Sequence, residues 1–133
     1  STHHLVKQND VQNWNGIGMN LSHQELMWMR IKSDALLFPS GSEGFGYPPL
    51  ESMACGTKVL CSNLASHNEL MPDDSCIEAD DIAAWQKAII EIHSQWKHTE
   101  GPIDADQQLI QHSRNFSMNA FNERMAEAYS MLE

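Results

Sequence analysis

The fold follows from residues 33–61, which read SDALLFPSGSEGFGYPPLESMACGTKVLC. Two short apolar runs, 35–38 and 58–61, lie near the ends of this stretch, and each has the length of a strand that is covered on both faces. Between them, Pro48 suits the first turn of a helix, where its missing amide hydrogen has no helical partner to lose. Gly56 can end that helix in the left-handed conformation. We therefore predict a strand, a helix over 48–55 and a second, parallel strand.

Further helices and a third strand surround this unit. Residues 22–25 and 66–69 both have the pattern Ser-x-x-Glu, in which the serine caps a free amide of the first turn and the glutamate reaches back to the cap. Each pattern predicts the start of a helix, and the first helix runs to about residue 33. A weaker apolar run at 75–78 predicts a third strand. This alternation predicts an α/β fold, a Rossmann-like parallel sheet flanked by helices.

The carboxy-terminal third is predicted to be helical. After residues 80–81, apolar side chains recur every three or four positions, which predicts a long helix with one face in the core. That face contains Ile82, Trp85, Ile89, Ile92 and Trp96. Gly101-Pro102 ends this helix, and a polar helix follows to about residue 114. Ser117 begins a last helix with a single apolar stripe. The stripe contains Met118, Phe121, Met125, Ala128, Tyr129 and Leu132.

The length and charge of the chain exclude several classes of protein. It has 133 residues, with 8 Lys and Arg against 18 Asp and Glu. We expect one globular domain over residues 1–133, because two nucleotide-binding domains of about 100 to 200 residues each would not fit. Binding to nucleic acid or to an acidic membrane is disfavoured, because the few basic residues are scattered along the chain.

The cysteines and the hydropathy pattern indicate a cytoplasmic protein. Cys55, Cys61 and Cys76 form no Cys-x-x-Cys pair, which is typical of reduced, buried thiols rather than of a disulfide or zinc framework. No stretch has the about 18 consecutive apolar residues of a membrane span, and the first residues lack the apolar centre of a signal peptide.

A candidate ligand site follows the first predicted strand. In open parallel sheets, ligands bind beyond the carboxyl ends of strands, where helix amino termini point free amides outward. Gly44 and Gly46 would let backbone amides approach a phosphate closely. Glu43 and Glu51 flank this loop and can accept hydrogen bonds from hydroxyl groups. Their spacing alone carries little information, because the ten glutamates of this chain would give such a pair about 0.7 times by chance.

The context of the two glutamates is more specific. Residues 33–40, 43–51, 53–57 and Val59 closely resemble the carboxy-terminal domain of retaining GT-B glycosyltransferases, the glycosyl transferases group 1 type with a Glu-x7-Glu element. Weaker similarity continues through residues 62–63, Glu69, 80–82 and 116–117. The resemblance implies an enzyme that transfers a sugar from a nucleotide-sugar donor to an acceptor with retention of configuration.

The resemblance also implies roles for individual residues. Glu43 would be the catalytic residue and would face the donor sugar, and Glu51 would hold the ribose hydroxyls. Gly44 and the amides of Phe45, Gly46 and Tyr47 would line the sugar and the diphosphate. Enzymes of this kind need no metal or other cofactor.

The resemblance covers only part of such an enzyme. The basic residues that contact the donor phosphates upstream in the family have no counterpart, and the first strand of this chain is expected near residues 11–14. The first strands of the domain and the whole amino-terminal acceptor domain would be missing, so we expect this part to be inactive alone. Peripheral attachment to the inner membrane would come through the missing half.

Other interpretations of the same residues stay open. Glu43 and Glu51 would also suit a plain loop residue and a first-turn carboxylate that the helix dipole favours. A glycosidase likewise uses two carboxylates. The chain as a whole would also suit a catalytically silent α/β interaction module or a sugar-nucleotide epimerase of the same fold.

The remaining conspicuous side chains have simpler interpretations. The seven histidines include no pair four residues apart on a helix, so surface or turn positions are favoured over metal binding. His67, in the turn after Cys61, is the one histidine for which a functional role stays of interest. Trp85 and Trp96 are predicted to lie in the core rather than to form a sugar platform. The apolar stripe of the last helix is predicted to be a surface without its partner, which is exposed, folded back or paired with another chain.

Overall fold

The computed structural model describes residues 20–131. Its elements in chain order are α1 (His23–Lys32), β1 (Ala35–Phe38), α2 (Tyr47–Ala54), β2 (Lys58–Ser62), α3 (Ala65–Leu70), β3 (Cys76–Ile77), α4 (Ile82–His98), α5 (Gln107–Ser113) and α6 (Met118–Ser130). Short 3-10 turns cover Asp73–Ser75 and Arg114–Phe116. The strand predicted near residues 11–14 lies outside the described residues.

The described strands form one parallel sheet in the order β1-β2-β3. Ala35 pairs with Lys58 at one end of the β1–β2 ladder, and Phe38 pairs with Cys61 at the other. The central strand β2 is buried from Val59 to Ser62, as expected for a strand covered on both faces. The predicted α/β class, with a Rossmann-like parallel sheet flanked by helices, is confirmed.

The core lies between β2 and the helices α2, α3 and α5. Its buried apolar residues are Met53, Val59, Cys61, Leu70, Met71 and Leu109. Gly56 ends α2 with a φ of +75°, as the sequence predicts. A Cβ atom at residue 56 would lie 2.9 Å from the Cβ of Ala105, so only glycine allows this close approach of the chain that precedes α5.

The helix cap predicted at Ser22 is confirmed, and the prediction of a cap at Ser66 is wrong. Ser22 and Glu25 form the complete capping box of α1. The second pattern does not cap a helix, because α3 begins at Ala65 after Leu64 and Ser66 therefore lies inside its first turn. The reason is the short connection after β2, where the chain turns at Leu64, whose amide donates to the carbonyl of Ser62. The position of the strand end overrides the local pattern.

The long apolar face of α4 is less buried than predicted. No residue of α4 is buried, and the exposed fractions of Ile82 and Trp96 are 70% and 40%. Trp85 is half-buried and donates its indole N–H to the carbonyl of Glu78. The prediction that both tryptophans lie in the core is therefore wrong. Periodicity identifies the apolar face of a helix, but the depth of burial depends on what the fold places opposite that face.

The stripe of α6 is exposed, which is one of the three arrangements expected for it. Met118, Phe121 and Tyr129 are exposed, and α6 has no buried residue. Leu132 lies outside the described residues. Within residues 20–131, none of the helices combines the length and the apolar character of a bilayer span.

Candidate functional site

The loop over residues 39–46 connects the carboxyl end of β1 to α2, which is where a parallel sheet presents its ligands. Ser40 orders the beginning of this loop, because its amide donates to the carbonyl of Phe38 and its hydroxyl donates to the carbonyl of Ser42. Gly46 forms the N-cap of α2 with a φ of +91°, a left-handed conformation that L side chains rarely adopt. The sharp turn into α2 therefore depends on this glycine.

The free amides at this corner belong to the loop rather than to the helix. Pro48 and Pro49 follow Tyr47 at the start of α2 and have no amide hydrogen. Among residues 20–131, the amides of Gly44, Phe45, Gly46 and Tyr47 donate to no hydrogen-bond acceptor. An anion at the positive end of α2 would therefore meet donors from residues 44–47.

Two aromatic side chains frame the open side of the loop. The ring centres of Phe45 and Tyr47 lie 4.8 Å apart, and both residues are exposed. Exposed aromatic faces can pack against the apolar face of a sugar or a base. The family resemblance assigns a role only to the backbone amides of these two residues. The structure shows that their aromatic rings are exposed beside those amides.

Glu43 lies on the side of the loop that faces α3. It is half-buried, and its carbonyl oxygen accepts a hydrogen bond from the hydroxyl of Ser66 at 3.3 Å. This bond ties the start of the glycine-containing turn to the first turn of α3. The serine that the sequence assigned to a helix cap instead supports the loop that holds Glu43.

His67 lies beneath the loop, inside α3. It is fully buried, so the prediction of a surface or turn position is wrong for this histidine. Nδ1 lies 2.8 Å from the carbonyl oxygen of Ser62, and because a carbonyl only accepts, Nδ1 carries the hydrogen. Nε2 is buried without a hydrogen-bond partner among the described residues. A Cβ atom at residue 46 would lie 3.1 Å from Cδ2 of His67.

Glu51 lies one turn into α2 and faces α1. Its Oε2 atom lies 2.6 Å from Nη1 of Arg30, in the last turn of α1. The side chain of Arg30 is only 10% exposed and that of Glu51 is 37% exposed, so a largely buried cation lies beside a more exposed carboxylate. No motif in the sequence points to Arg30. An ion pair between side chains 21 residues apart leaves no spacing signal, and only the folded chain, which brings the last turn of α1 close to Glu51, reveals it.

The predicted site residues thus have different neighbours. Gly44, Phe45 and Tyr47 are exposed at the amino terminus of α2, whereas Gly46 is buried against His67 and Leu70. Glu43 is anchored from α3 and Glu51 from α1. The three exposed residues leave this part of the loop between the two glutamates accessible to a ligand.

A cleft lies at the opposite end of the strands. It has a volume of about 490 Å³ and opens beside the amino-terminal ends of β1 and β2. Its charged lining residues are Asp34, Lys58, Asp74, Glu91, Asp104 and Asp106. The single lysine is already paired with Asp74 at 2.6 Å. A cleft with this excess of carboxylates would repel a diphosphate, so the loop at the carboxyl end of β1 is the better candidate for a phosphorylated ligand.

Among the described residues, the cysteines and the other side chains that commonly bind metals do not form a second candidate site. Within residues 20–131, no three His, Cys, Asp or Glu side chains come together as a metal-binding group. The described cysteines form no disulfide, although the Sγ atoms of Cys61 and Cys76 lie 3.8 Å apart on neighbouring strands. Burial raises the pKa of the Cys61 thiol to about 12, so this thiol stays protonated at neutral pH.

Comparison with known families matches residues 4–115 to the model of glycosyl transferases group 1. Among curated proteins, the chain is 39% identical over 70 residues to the O-antigen chain mannosyltransferase RfbU of Salmonella typhimurium. It is 30% identical over 88 residues to the O-antigen chain mannosyltransferase B of Escherichia coli. It is also 45% identical over 63 residues to the serotype-specific mannosyltransferase WbdA of Escherichia coli.

These matches cover different shares of the proteins compared. The aligned segments span 52%, 65% and 47% of this chain, but only 20%, 23% and 8% of the respective relatives. The chain therefore spans about a fifth of the length of the first two. The matched family region of 4–115 contains every predicted site residue from Glu43 to Glu51.

Proposed function

Because the chain belongs to the glycosyl transferases group 1 family, we propose that it is the donor-binding part of an enzyme that transfers a sugar from a nucleotide-sugar to an acceptor. The observation that carries this proposal is the open loop over residues 44–47. Its amides have no acceptor within the described residues, and it lies at the positive end of α2 between two glutamates. Such an arrangement suits a ligand that combines phosphate with hydroxyl groups.

The proposal assigns each part of the donor to a part of this surface. The diphosphate lies against the amides of residues 44–47 and the amino terminus of α2. Glu51 accepts hydrogen bonds from the ribose hydroxyls, because two adjacent hydroxyls can donate to one carboxylate. Glu43 faces the donor sugar, and the rings of Phe45 and Tyr47 offer apolar faces beside it.

The same surface explains how transfer is promoted. When the bond between the anomeric carbon and the phosphate oxygen breaks, the leaving diphosphate gains negative charge. Fixed amide dipoles at residues 44–47 and the amino end of α2 stabilise that charge without needing to reorganise. A carboxylate at residue 43 suits the positive charge that develops on the sugar as that bond weakens. We assign transfer with retention, and without a metal ion, to this surface.

The relatives suggest the sugar and the remaining parts of the enzyme. Several of them are named mannosyltransferases, which supports mannose as the transferred sugar. The chain spans a minor part of those relatives, so acceptor recognition is assigned to a further domain of the same enzyme.

The exposed stripe of α6 would pack against that domain or against a second copy of the chain. This part of the enzyme alone would be inactive. We place the enzyme in the cytoplasm, with any attachment to the inner membrane through the further domain.

Isothermal titration with nucleoside diphosphates tests the proposal. Wild type should bind at least one of ADP, GDP, UDP and CDP, and Glu51→Ala should weaken that binding about tenfold, the usual effect of losing hydrogen bonds to a charged group. Glu127→Ala on α6 is the matched control, because Glu127 is exposed and lies on a different helix. Absence of binding, or binding that Glu51→Ala leaves unchanged, would favour the catalytically silent α/β module instead.

A sugar-nucleotide epimerase of the same fold is the second candidate. It shares the need for the diphosphate surface but releases an isomer of the donor rather than a glycosylated acceptor. Product analysis of the enzyme with its remaining domain, supplied with donor and acceptor, separates the two reactions.

A further inference from the structure

An arginine with a largely buried side chain lies beside Glu51, the carboxylate that would bind the ribose under the proposed function. Arg30 lies in the last turn of α1, and its Nη1 atom contacts Oε2 of Glu51 at 2.6 Å. The same nitrogen lies 3.4 Å from the sulfur of Met27, one turn earlier on α1. The arginine side chain is nine-tenths buried, so solvent screens this ion pair less than it screens a pair on the open surface.

The backbone of Arg30 is fixed as well as its side chain. Its carbonyl oxygen accepts a hydrogen bond from the hydroxyl of Thr57 at 2.7 Å. Thr57 is buried, and its amide donates to the carbonyl of Ser52 in α2, at 3.0 Å. The last turn of α1 is therefore tied to the helix that carries Glu51. Both ends of the ion pair belong to one hydrogen-bonded unit.

This arrangement leaves Glu51 able to bind a ligand. A carboxylate has about four lone-pair sites on two oxygens, and the ion pair with Arg30 involves only the Oε2 atom. Oε1 of Glu51 has no hydrogen-bond partner within residues 20–131. A free glutamate would lose rotamer entropy when it binds, whereas a glutamate that is already held loses less.

We propose that Arg30 is a positioning residue, which holds Glu51 in the orientation that accepts hydrogen bonds from the two adjacent ribose hydroxyls of the nucleotide. The inference rests on the proposed function. Arg30 acts through the carboxylate and does not itself contact the sugar. Lysine at this position would keep the charge but is shorter and more strongly hydrated, so it would hold Glu51 less firmly.

The test compares nucleotides with and without the two hydroxyls. The tightest binder among ADP, GDP, UDP and CDP is titrated beside its 2′,3′-dideoxy analogue, into wild type, Arg30→Gln, Glu51→Gln and the double variant. Wild type should prefer the ribose form. Arg30→Gln should weaken binding of the ribose form about threefold to tenfold, and should change binding of the dideoxy form much less. The double variant should bind no more weakly than Glu51→Gln, because Arg30 acts only through Glu51.

The outcomes distinguish a failure of the proposed function from a failure of the role of Arg30. If Glu51→Gln binds like wild type, or no nucleotide binds, the proposed function fails and the inference fails with it. If Glu51→Gln weakens binding but Arg30→Gln leaves it unchanged, tightens it, or weakens both forms equally, only the inference is wrong. Thermal unfolding shows whether Arg30→Gln folds, and Arg30→Lys is used in its place if it does not. If neither variant folds, Arg30 is a structural residue and the inference is wrong.

Discussion

The imidazole of His67 packs directly beneath the α-carbon of Gly46. A Cβ atom at residue 46 would lie 3.1 Å from Cδ2 of His67 and 3.5 Å from its Nε2. The histidine cannot easily retreat, because it is fully buried and its Nδ1–H is bonded to the carbonyl of Ser62. The start of α2 is thus held by one glycine above and one buried ring below, and the shape of the candidate site depends on both.

Gly46→Ala should destabilise the protein by about 1–3 kcal/mol, because alanine would be strained at a φ of +91° and would also crowd His67. Urea unfolding measures the loss, and nucleotide titration should show weaker binding. Gly44→Ala is the control for stability but not for binding, because nothing lies within 4 Å of a Cβ atom at residue 44. Equal losses for the two variants would contradict the assigned role of Gly46.

Thr57→Val should lower the free energy of unfolding by about 1 kcal/mol. The substitution keeps the shape of the side chain but removes the hydroxyl that donates to the carbonyl of Arg30 at 2.7 Å. Ser130→Ala removes a hydrogen bond at the exposed end of α6 and should change stability much less. Chemical denaturation of both variants checks this, and an unchanged midpoint for Thr57→Val would argue against the connection between α1 and the start of β2.

Stability should fall as the pH rises above about 8.5, the ordinary pKa of a thiol. Burial raises the pKa of Cys61 to about 12 in the folded chain, so the folded state keeps a proton that the unfolded state releases. The contribution is complete below the unfolded pKa and is lost as the pH rises toward 12; by pH 10 the loss is about 2 kcal/mol.

Urea unfolding at pH 7.5 and at pH 10 measures this loss. Cys61→Ala lacks the thiol and should lose less stability between the two pH values than wild type. The same loss in both proteins would mean that other groups cause the alkaline destabilisation.

Substitutions in the core should lower the free energy of unfolding much more than substitutions in the exposed stripe of α6. Met53 is fully buried, so Met53→Ala should cost about 2–5 kcal/mol of stability. Phe121 is 51% exposed in the α6 stripe, so Phe121→Ala should cost below about 1 kcal/mol in this chain. Thermal unfolding of the two variants provides the comparison. A large loss for Phe121→Ala would show that the stripe is already covered, for example by a second copy of the chain.

Local patterns predicted the elements around the candidate site. The runs at 35–38 and 58–61, with Pro48 and Gly56 between them, predicted β1, α2 and β2 nearly to the residue. These features act within a few positions of the chain, because a missing amide hydrogen, a left-handed glycine and a short apolar run each fix the backbone locally. The cap predicted at Ser66 was wrong because the end of β2 sets where α3 begins.

The sequence by itself determined the parallel α/β architecture, the family resemblance and the candidate residues from Glu43 to Glu51, since all of these lie in one contiguous segment. Only the tertiary structure decided how those residues are held. Arg30 beside Glu51, Ser66 on the carbonyl of Glu43 and His67 under Gly46 join positions 20 or more residues apart. Such contacts depend on which helix faces which once the strands pair, and no spacing along the chain records them.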